Sequence, residues 1–174
     1  MGTFTIVACG ESAQGWTPRG TCIGSNDCEK FGQPVDILIL ANHPDKFKER
    51  INIIKKSKAT VRSNTPQTWR KMFPNVEKIS RMVFFHKRIL PGFTYTSKTT
   101  PIMCISTAIN MGAKEVILYG VDMLTHHSFR RGVKHGDFEI ATYLKFFKEM
   151  ERLGIKVFLG AKGSAFDNSL PIYE

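Results

Sequence analysis

Polar residues placed directly before and after apolar segments give this sequence its clearest chemical signal. Residues 96–101 read Thr-Ser-Lys-Thr-Thr-Pro and precede an apolar stretch with helical spacing, after which comes the β-branched run Val116–Tyr119. That run ends at Gly120, with Asp122 just beyond it. Ligands of open α/β sheets bind outside the carboxyl ends of the strands. The sequence therefore predicts that Gly120 and Asp122 lie at a binding pocket.

Similar polar groups follow nearly every apolar run that we interpret as a strand. Each group alone is typical of an ordinary turn. In a parallel sheet, however, these strand ends share one edge, so their hydroxyl, amide and carboxylate groups are expected to converge. Such a set suits a nucleotide base and ribose, which need paired donors and acceptors. The predicted nucleotide-binding residues are Gly10, Ser12, Asn26, Asp27, Asn42, Ser63, Asn64, Ser97, Thr99, Gly120, Asp122 and Ser164.

The familiar phosphate-binding motifs are absent from the sequence. The first turn, residues 9–12, is neither a G-x-G-x-x-G fingerprint nor a Walker loop with its lysine, which disfavours conventional NAD binding and P-loop ATP hydrolysis. Phosphates are instead expected at the N-terminus of the helix that starts at Pro101. There Ser97, Thr99 and Thr100 would present hydroxyls beside free backbone N–H groups.

The segment after Asp122 is rich in histidine and arginine. It contains His126, His127, Arg130, Arg131 and His135. A histidine in a loop over a pocket is a natural general acid or base, and neighbouring cations favour its neutral, basic form. An ordinary surface loop remains an equal alternative. A metal site at the paired histidines is disfavoured, because no carboxylate except Asp122 lies at a useful spacing.

Strands that alternate with helices are needed to bring these residues together. Apolar runs near residues 4–8, 21–25, 35–41, 59–62, 82–85, 116–119 and 155–159 are expected to be strands. Helices are expected at 45–56, 66–73, 101–111 and 137–153, the last with Asp137 as its N-cap and Gly154 at its end. This alternation predicts one α/β domain over residues 1–174: a Rossmann-like, doubly wound, mostly parallel sheet with helices on both faces.

Composition narrows the class of protein. The 174 residues are 42% hydrophobic, yet no apolar run is long enough to span a bilayer. The start lacks a basic secretory leader, and Ile6 stands where an N-myristoylation motif needs Ser or Thr, so we expect a cytoplasmic protein.

The cysteines lack Cys-x-x-Cys spacing and are expected to be buried free thiols, without a structural metal. They are Cys9, Cys22, Cys28 and Cys104.

The chain is strongly basic, with 25 Lys and Arg against 15 Asp and Glu, a net charge of +10. The positive residues concentrate in residues 46–88 and again at Arg130, Arg131 and Lys134. Such a field attracts nucleic acid, phosphorylated metabolites or an acidic surface, although solvated lysines on helix faces explain part of it. A nucleic-acid acceptor and a homo-oligomer both stay open as partners. Charge alone does not identify the partner.

Several segments, in this order along the chain, resemble the bacterial sialyltransferases of the Campylobacter lipooligosaccharide type and the wider set of related Rossmann-like proteins. The resemblance spans nearly the whole chain, and its most specific part is a helix-Gly-strand-Gly-x-Asp unit. The segments that carry it are residues 42–44, 96–97, 108–122, 135–137 and 162–164.

The resemblance implies a metal-independent transferase that binds a cytidine nucleotide-sugar and uses no cofactor besides this donor substrate. It implies that Ser12, Asn26, Asn42 and Ser97 hold the nucleotide. By the same resemblance, His135 is the general base that deprotonates a hydroxyl of an acceptor such as a glycan. A sugar centre with oxocarbenium character needs this deprotonated acceptor and a stabilised phosphate leaving group.

The chain departs from that family at two places in the site. Its first turn is Gly10-Glu11-Ser12, where the family has a longer Gly-Asn-Gly-Pro-Ser segment. No tyrosine lies between Asp122 and His135, whereas the family uses tyrosines to stabilise the leaving phosphate. The expected substitutes for the tyrosines are His126, His127, Arg130 and Arg131.

Two further functions remain open at this point. A non-catalytic nucleotide-binding protein would have kept the pocket and lost the chemistry. A diphosphokinase-like transferase on the same scaffold would need a bound metal and acidic ligands.

Overall fold

The computed structural model describes residues 2–124 and 132–174. The strands in these residues are β1 (Gly2–Val7), β2 (Thr21–Ser25), β3 (Ile37–Leu40), β4 (Thr60–Ser63), β5 (Glu77–Lys78), β6 (Met82–Phe84), β7 (Thr94–Thr96), β8 (Ala113–Tyr119) and β9 (Lys156–Leu159). The α-helices are α1 (Ile51–Ile54), α2 (Pro66–Trp69), α3 (Pro101–Asn110) and α4 (Lys134–Arg152). None of these helices has the length and apolar composition needed to cross a bilayer.

The main sheet has seven strands in the order β5-β4-β3-β2-β1-β8-β9, and each of its described pairings is parallel. β6 and β7 form a separate parallel pair. From β1 the chain moves outward to β5 and then returns to the other side of β1 as β8. The strand order therefore reverses between β1 and β8, which makes this the topological switch point of the sheet.

Alternate residues of β1, β2, β3 and β8 point into two apolar layers, one on each face of the sheet. Ile6 belongs to the layer that also contains residues of α3 and α4, such as Ile102 and Phe146. Its neighbour Val7 belongs to the other layer, with Trp69 of α2. The predicted α/β architecture, with a parallel sheet and helices on both faces, is confirmed.

Two predicted helices are much shorter than expected. Residues 45–56 were expected to form one helix, but they form turns of 3₁₀ helix at Pro44–Lys46 and Lys48–Arg50 before the single turn α1. The break lies at Lys48, whose φ of 48° is left-handed and cannot continue a right-handed helix. The helix expected from Pro66 to Pro74 is the single turn α2.

The prediction that Asp137 caps the long helix was wrong. α4 begins at Lys134, and Val133 occupies the N-cap position. Asp137 lies in the first helical turn, where its Oδ1 accepts a hydrogen bond of 2.9 Å from the backbone N–H of Gly132. A carboxylate is favourable in either position because of the helix dipole, so the sequence pattern did not separate them.

The cysteines are free thiols, and three of them are buried, as predicted, whereas Cys9 is half-buried. Burial raises the pKa of Cys28 and of Cys104 well above the ordinary thiol value. An unfolded thiol loses its proton above about pH 8.5, whereas a buried thiol with a raised pKa keeps it. Its contribution to the stability of the fold is therefore complete below about pH 8.5 and is lost as the pH rises towards the folded-state pKa.

We therefore expect the free energy of unfolding to fall above about pH 8.5, by up to about 1.4 kcal/mol per pH unit for each of these two thiols. Urea unfolding followed at several pH values between 7 and 10 measures the slope. Cys104→Ala should give a shallower slope, whatever its stability at pH 7. An unchanged slope in that variant would contradict the raised pKa of the Cys104 thiol as a cause of the pH dependence.

Candidate functional site

The turns after β1 and β8 form the floor of a cavity at the switch point. Backbone pairing continues beyond the strand ends: the N–H of Ala8 donates to the C=O of Tyr119 at 2.8 Å, and that of Gly10 donates to the C=O of Gly120 at 3.0 Å. A Cβ added to Gly10 would lie 2.6 Å from the oxygen of Gly120 and would also overlap the Asp122 carboxylate. The close approach of the two turns therefore requires glycine at position 10.

Asp122 joins these two turns. Its side chain is buried and accepts hydrogen bonds from the backbone N–H of Ser12, at 2.9 Å, and from the hydroxyl of Ser12. The same hydroxyl accepts from the N–H of Gly120 at 3.0 Å. The carboxylate that the sequence places at the pocket thus also holds the floor together.

The cavity above this floor has a volume of about 330 Å³, within the range of small-molecule sites. The wall on the side of β2 and β3 carries the two amide side chains of Asn26 and Asn42. Another wall is the segment before α3, with Lys98, Thr99 and Thr100. The lining therefore carries amides, hydroxyls and one ammonium group.

Asn26 is held in an unusual backbone conformation at the end of β2. Its φ of 55° is left-handed, which asparagine tolerates better than most residues. Its Nδ2 lies 3.5 Å from the hydroxyl of Thr100, while its Oδ1 is buried and has no hydrogen-bond partner among the described residues. Buried polar atoms are normally paired, so this oxygen is suited to accept a hydrogen bond from a ligand.

Helix α4 fixes the segment that carries Lys98 and Thr99. The buried carboxylate of Glu139 accepts from the backbone N–H of Lys98 at 3.1 Å and from the hydroxyl of Thr99 at 3.2 Å. The Thr99 oxygen then accepts from the hydroxyl of Tyr143 at 2.8 Å. Burial raises the pKa of Tyr143, which keeps its hydroxyl protonated and able to donate. The wall is therefore fixed by paired, buried groups.

The N-terminus of α3 lies at the same wall, since Thr100 and Pro101 both line the cavity. A helix N-terminus carries a partial positive charge and unsatisfied N–H groups, which favour anions. Lys98, two residues before Thr100 in the chain, lines the same cavity. Together they make this wall the one suited to a phosphate.

His135 lies in the first turn of α4, exposed to solvent. Its Nδ1 is 2.9 Å from the Nζ of Lys98, and Lys98 lines the cavity. Lys98 was not among the predicted site residues. Its signal in the sequence was a lysine inside a hydroxyl-rich turn directly before a helix, which is a plausible phosphate-binding pattern.

Half of the predicted nucleotide-binding residues line the cavity. These are Gly10, Asn26, Asn42, Thr99, Gly120 and Asp122. Contact with a nucleotide stays a prediction for each of them, but the structure brings all six to one place.

The other predicted residues lie outside the cavity lining. Ser12 binds Asp122, the Ser97 hydroxyl contacts Thr99, and the Ser164 hydroxyl donates to the backbone of Val121. Farther along the strand ends, the carboxylate of buried Asp27 pairs with Arg50 at 2.7 Å, and the Ser63 hydroxyl donates to Leu40. The Oδ1 of Asn64 is buried without a partner in the described part of the chain.

The predicted phosphate-stabilising residues His126, His127, Arg130 and Arg131 lie outside the described residues. Across the residues that are described, no group of three His, Cys, Asp or Glu side chains is arranged to hold a metal ion.

Comparisons with known proteins identify the fold. No protein-family model and no curated protein matches the sequence. Among solved structures, the sialyltransferase CstII from Campylobacter jejuni in complex with the substrate analogue CMP-3FNeuAc has a TM-score of 0.63 and 15% identity, covering 100% of this chain and 86% of that one. The sialyltransferase CST-II with a trisaccharide acceptor and CMP gives 0.62 and 15%, covering 98% and 86%. An α-2,3-sialyltransferase from Campylobacter jejuni in apo form gives 0.60 and 12%, covering 98% and 80%. The chain therefore has the fold of these sialyltransferases, as its sequence resemblance implied.

Proposed function

We propose that the chain is a glycosyltransferase that binds a cytidine nucleotide-sugar in the switch-point cavity and transfers the sugar to an acceptor hydroxyl. One observation carries the proposal: His135 and Lys98 lie in contact where Lys98 enters a nucleotide-sized cavity. Support comes from the solved structures of the same fold, which include complexes with CMP, with CMP-3FNeuAc and with a trisaccharide acceptor.

The base of the nucleotide is assigned to the wall with the two amides. Cytosine presents an amino donor beside acceptor atoms, and an asparagine side chain offers both an acceptor and donors. The unpaired Oδ1 of Asn26 can accept from the amino group. Asn42, which is exposed at the same wall, offers a second amide.

The phosphate is assigned to the wall formed by the segment before α3. Lys98 and the N-terminus of α3 supply positive charge there, and Thr99 and Thr100 supply hydroxyls. This arrangement would neutralise a leaving phosphate with protein groups alone, and the proposed reaction is therefore independent of metal.

In the proposed reaction, a ring nitrogen of His135 accepts the proton of the acceptor hydroxyl. The acceptor oxygen bonds to the anomeric carbon of the donor sugar. The bond between that carbon and the phosphate oxygen breaks, and its electron pair stays on the phosphate. The products are the glycosylated acceptor and CMP, and His135 returns its proton to solvent.

Nucleotide binding provides the first test. At a CMP concentration of about 100 times Kd, binding adds about 2.7 kcal/mol to the stability of the folded state, which corresponds to a rise in Tm of about 5–10 °C for a chain of this size. We expect CMP to raise Tm more than UMP or AMP. Asn26→Ala should reduce the rise, whereas Asn52→Ala, an exposed residue of α1, should leave it unchanged. No response to any nucleotide would refute the proposal.

Turnover separates the proposed enzyme from the alternatives. Incubation with CMP-linked sugars, with and without acceptor glycans, should release CMP. Binding of CMP without release from any such donor would favour a non-catalytic nucleotide-binding protein. Loss of activity with a chelator would favour the diphosphokinase-like transferase.

A further inference from the structure

We infer that Lys98 keeps His135 from acting as a base until the donor is bound, and that the donor phosphate releases His135 by drawing the Lys98 ammonium into the cavity. The inference rests on the proposed function, because it assigns a donor phosphate to the cavity and a proton acceptor to His135. It adds that binding of the donor phosphate comes first and makes His135 able to accept a proton.

The contact itself defines the state of His135 in the unliganded chain. The Nζ of Lys98 is 2.9 Å from Nδ1, and an ammonium group has donors but no acceptor. The lone pair of Nδ1 is therefore occupied by Lys98. A neutral imidazole then carries its proton on Nε2, so neither ring nitrogen is free to take a proton from an acceptor.

The Lys98 side chain can move without rearrangement of its loop. The backbone N–H of Lys98 donates to Glu139. The side chain of the next residue, Thr99, is bonded to Glu139 and Tyr143, and both of these partners are buried residues of α4. The Lys98 side chain, in contrast, is exposed, lines the cavity and extends over the ring of Phe138 at 5.3 Å. Rotation about its own bonds is therefore enough to change the partner of the ammonium.

A phosphate is the stronger partner for this ammonium. The ammonium makes a charge-assisted hydrogen bond with either partner, but only the phosphate adds the Coulomb attraction of an opposite charge, which a neutral imidazole lacks. A phosphate at the N-terminus of α3 would thus compete with Nδ1 for Lys98. Once Lys98 moves, Nδ1 is free to accept the proton of the acceptor hydroxyl, and Lys98 stays on the phosphate that leaves as CMP.

Two ligands that differ only by phosphate test the first half of this inference. Replacing Lys98 with methionine should weaken binding of CMP about tenfold, since one charge-assisted hydrogen bond is lost, and should leave binding of cytidine within about twofold. Lys98→Arg should restore most of the CMP affinity. Lys145→Met, which removes an exposed lysine of α4 that does not line the cavity, controls for loss of net charge.

Histidine NMR tests the second half. In ¹⁵N-histidine-labelled protein, the His135 signals are assigned by their absence in His135→Gln. CMP should change the Nδ1 signal of His135 in the unsubstituted chain, and cytidine should not. In Lys98→Met the Nδ1 signal should already differ without ligand, and CMP should add no comparable change.

The outcomes separate this inference from the proposed function. Equal CMP-to-cytidine affinity ratios in Lys98→Met and in the unsubstituted chain, or an Nδ1 signal that CMP leaves unchanged, would overturn the inference while nucleotide binding stands. Absence of any CMP binding would overturn the proposed function and this inference with it.

Discussion

Replacing His135 with alanine is expected to lower the rate of sugar transfer by about 10²- to 10⁴-fold, which is the usual contribution of a general base. CMP affinity should stay within about threefold of the unsubstituted value, because His135 lies beside the cavity and does not line it. Steady-state release of CMP from a CMP-sugar measures the first quantity, and calorimetric titration with CMP measures the second.

His86→Ala provides the matched control for this variant. His86 is exposed like His135 but packs against Phe84, away from the cavity lining. It should retain full turnover. If His135→Ala kept full turnover as well, His135 would be removed from the mechanism, and the base would have to be sought elsewhere.

The second large effect is expected at Asp122. Asp122→Ala leaves the N–H and the hydroxyl of half-buried Ser12 without their acceptor, and each polar group that loses its partner away from water costs about 1–3 kcal/mol. The free energy of unfolding should therefore fall by about 2–6 kcal/mol, and CMP binding should weaken because the cavity floor loosens. Urea unfolding and CMP titration of the same samples measure both.

Ser12→Ala is the control for Asp122→Ala. It removes the hydroxyl bonds to Asp122 and Gly120 but keeps the backbone bond of 2.9 Å, so its cost should be clearly smaller. If Asp122→Ala lost CMP binding with unchanged stability, Asp122 would act as a direct ligand of the nucleotide and not through the floor.

The parallel sheet was predictable because its signals are local. β-branched runs such as Val116–Tyr119 and the turn residues after them depend on near neighbours along the chain. The interrupted helix at residues 45–56 was not predictable, because the left-handed conformation of Lys48 has no local sequence signal. The start of α4 was missed for a related reason: a carboxylate such as Asp137 is favourable throughout the first helical turn.

The position of the site was predictable, whereas its internal contacts were not. Gly120 and Asp122 lie at the cavity because strand ends converge in any sheet of this type. The bond between Ser12 and Asp122 joins residues 110 positions apart, and that between Thr99 and Tyr143 joins residues 44 apart. No spacing in the sequence encodes such pairs. The roles of His126, His127, Arg130 and Arg131 remain predictions.

The backbone pairing that runs past the ends of β1 and β8 has a thermodynamic consequence for the ligand. Where a loop around a binding site becomes ordered only when the ligand arrives, that ordering reduces affinity. Here the backbone N–H groups of Ala8 and Gly10 are already bonded to Tyr119 and Gly120, so this part of the floor is ordered before a ligand binds. Among the described residues of the lining, Asn42 and Lys98 are the exposed ones, and fixing their side chains on a ligand carries an entropic cost. We therefore expect differences in affinity among ligands to arise from contacts with Asn42 and Lys98, because the backbone of the floor stays the same for every ligand.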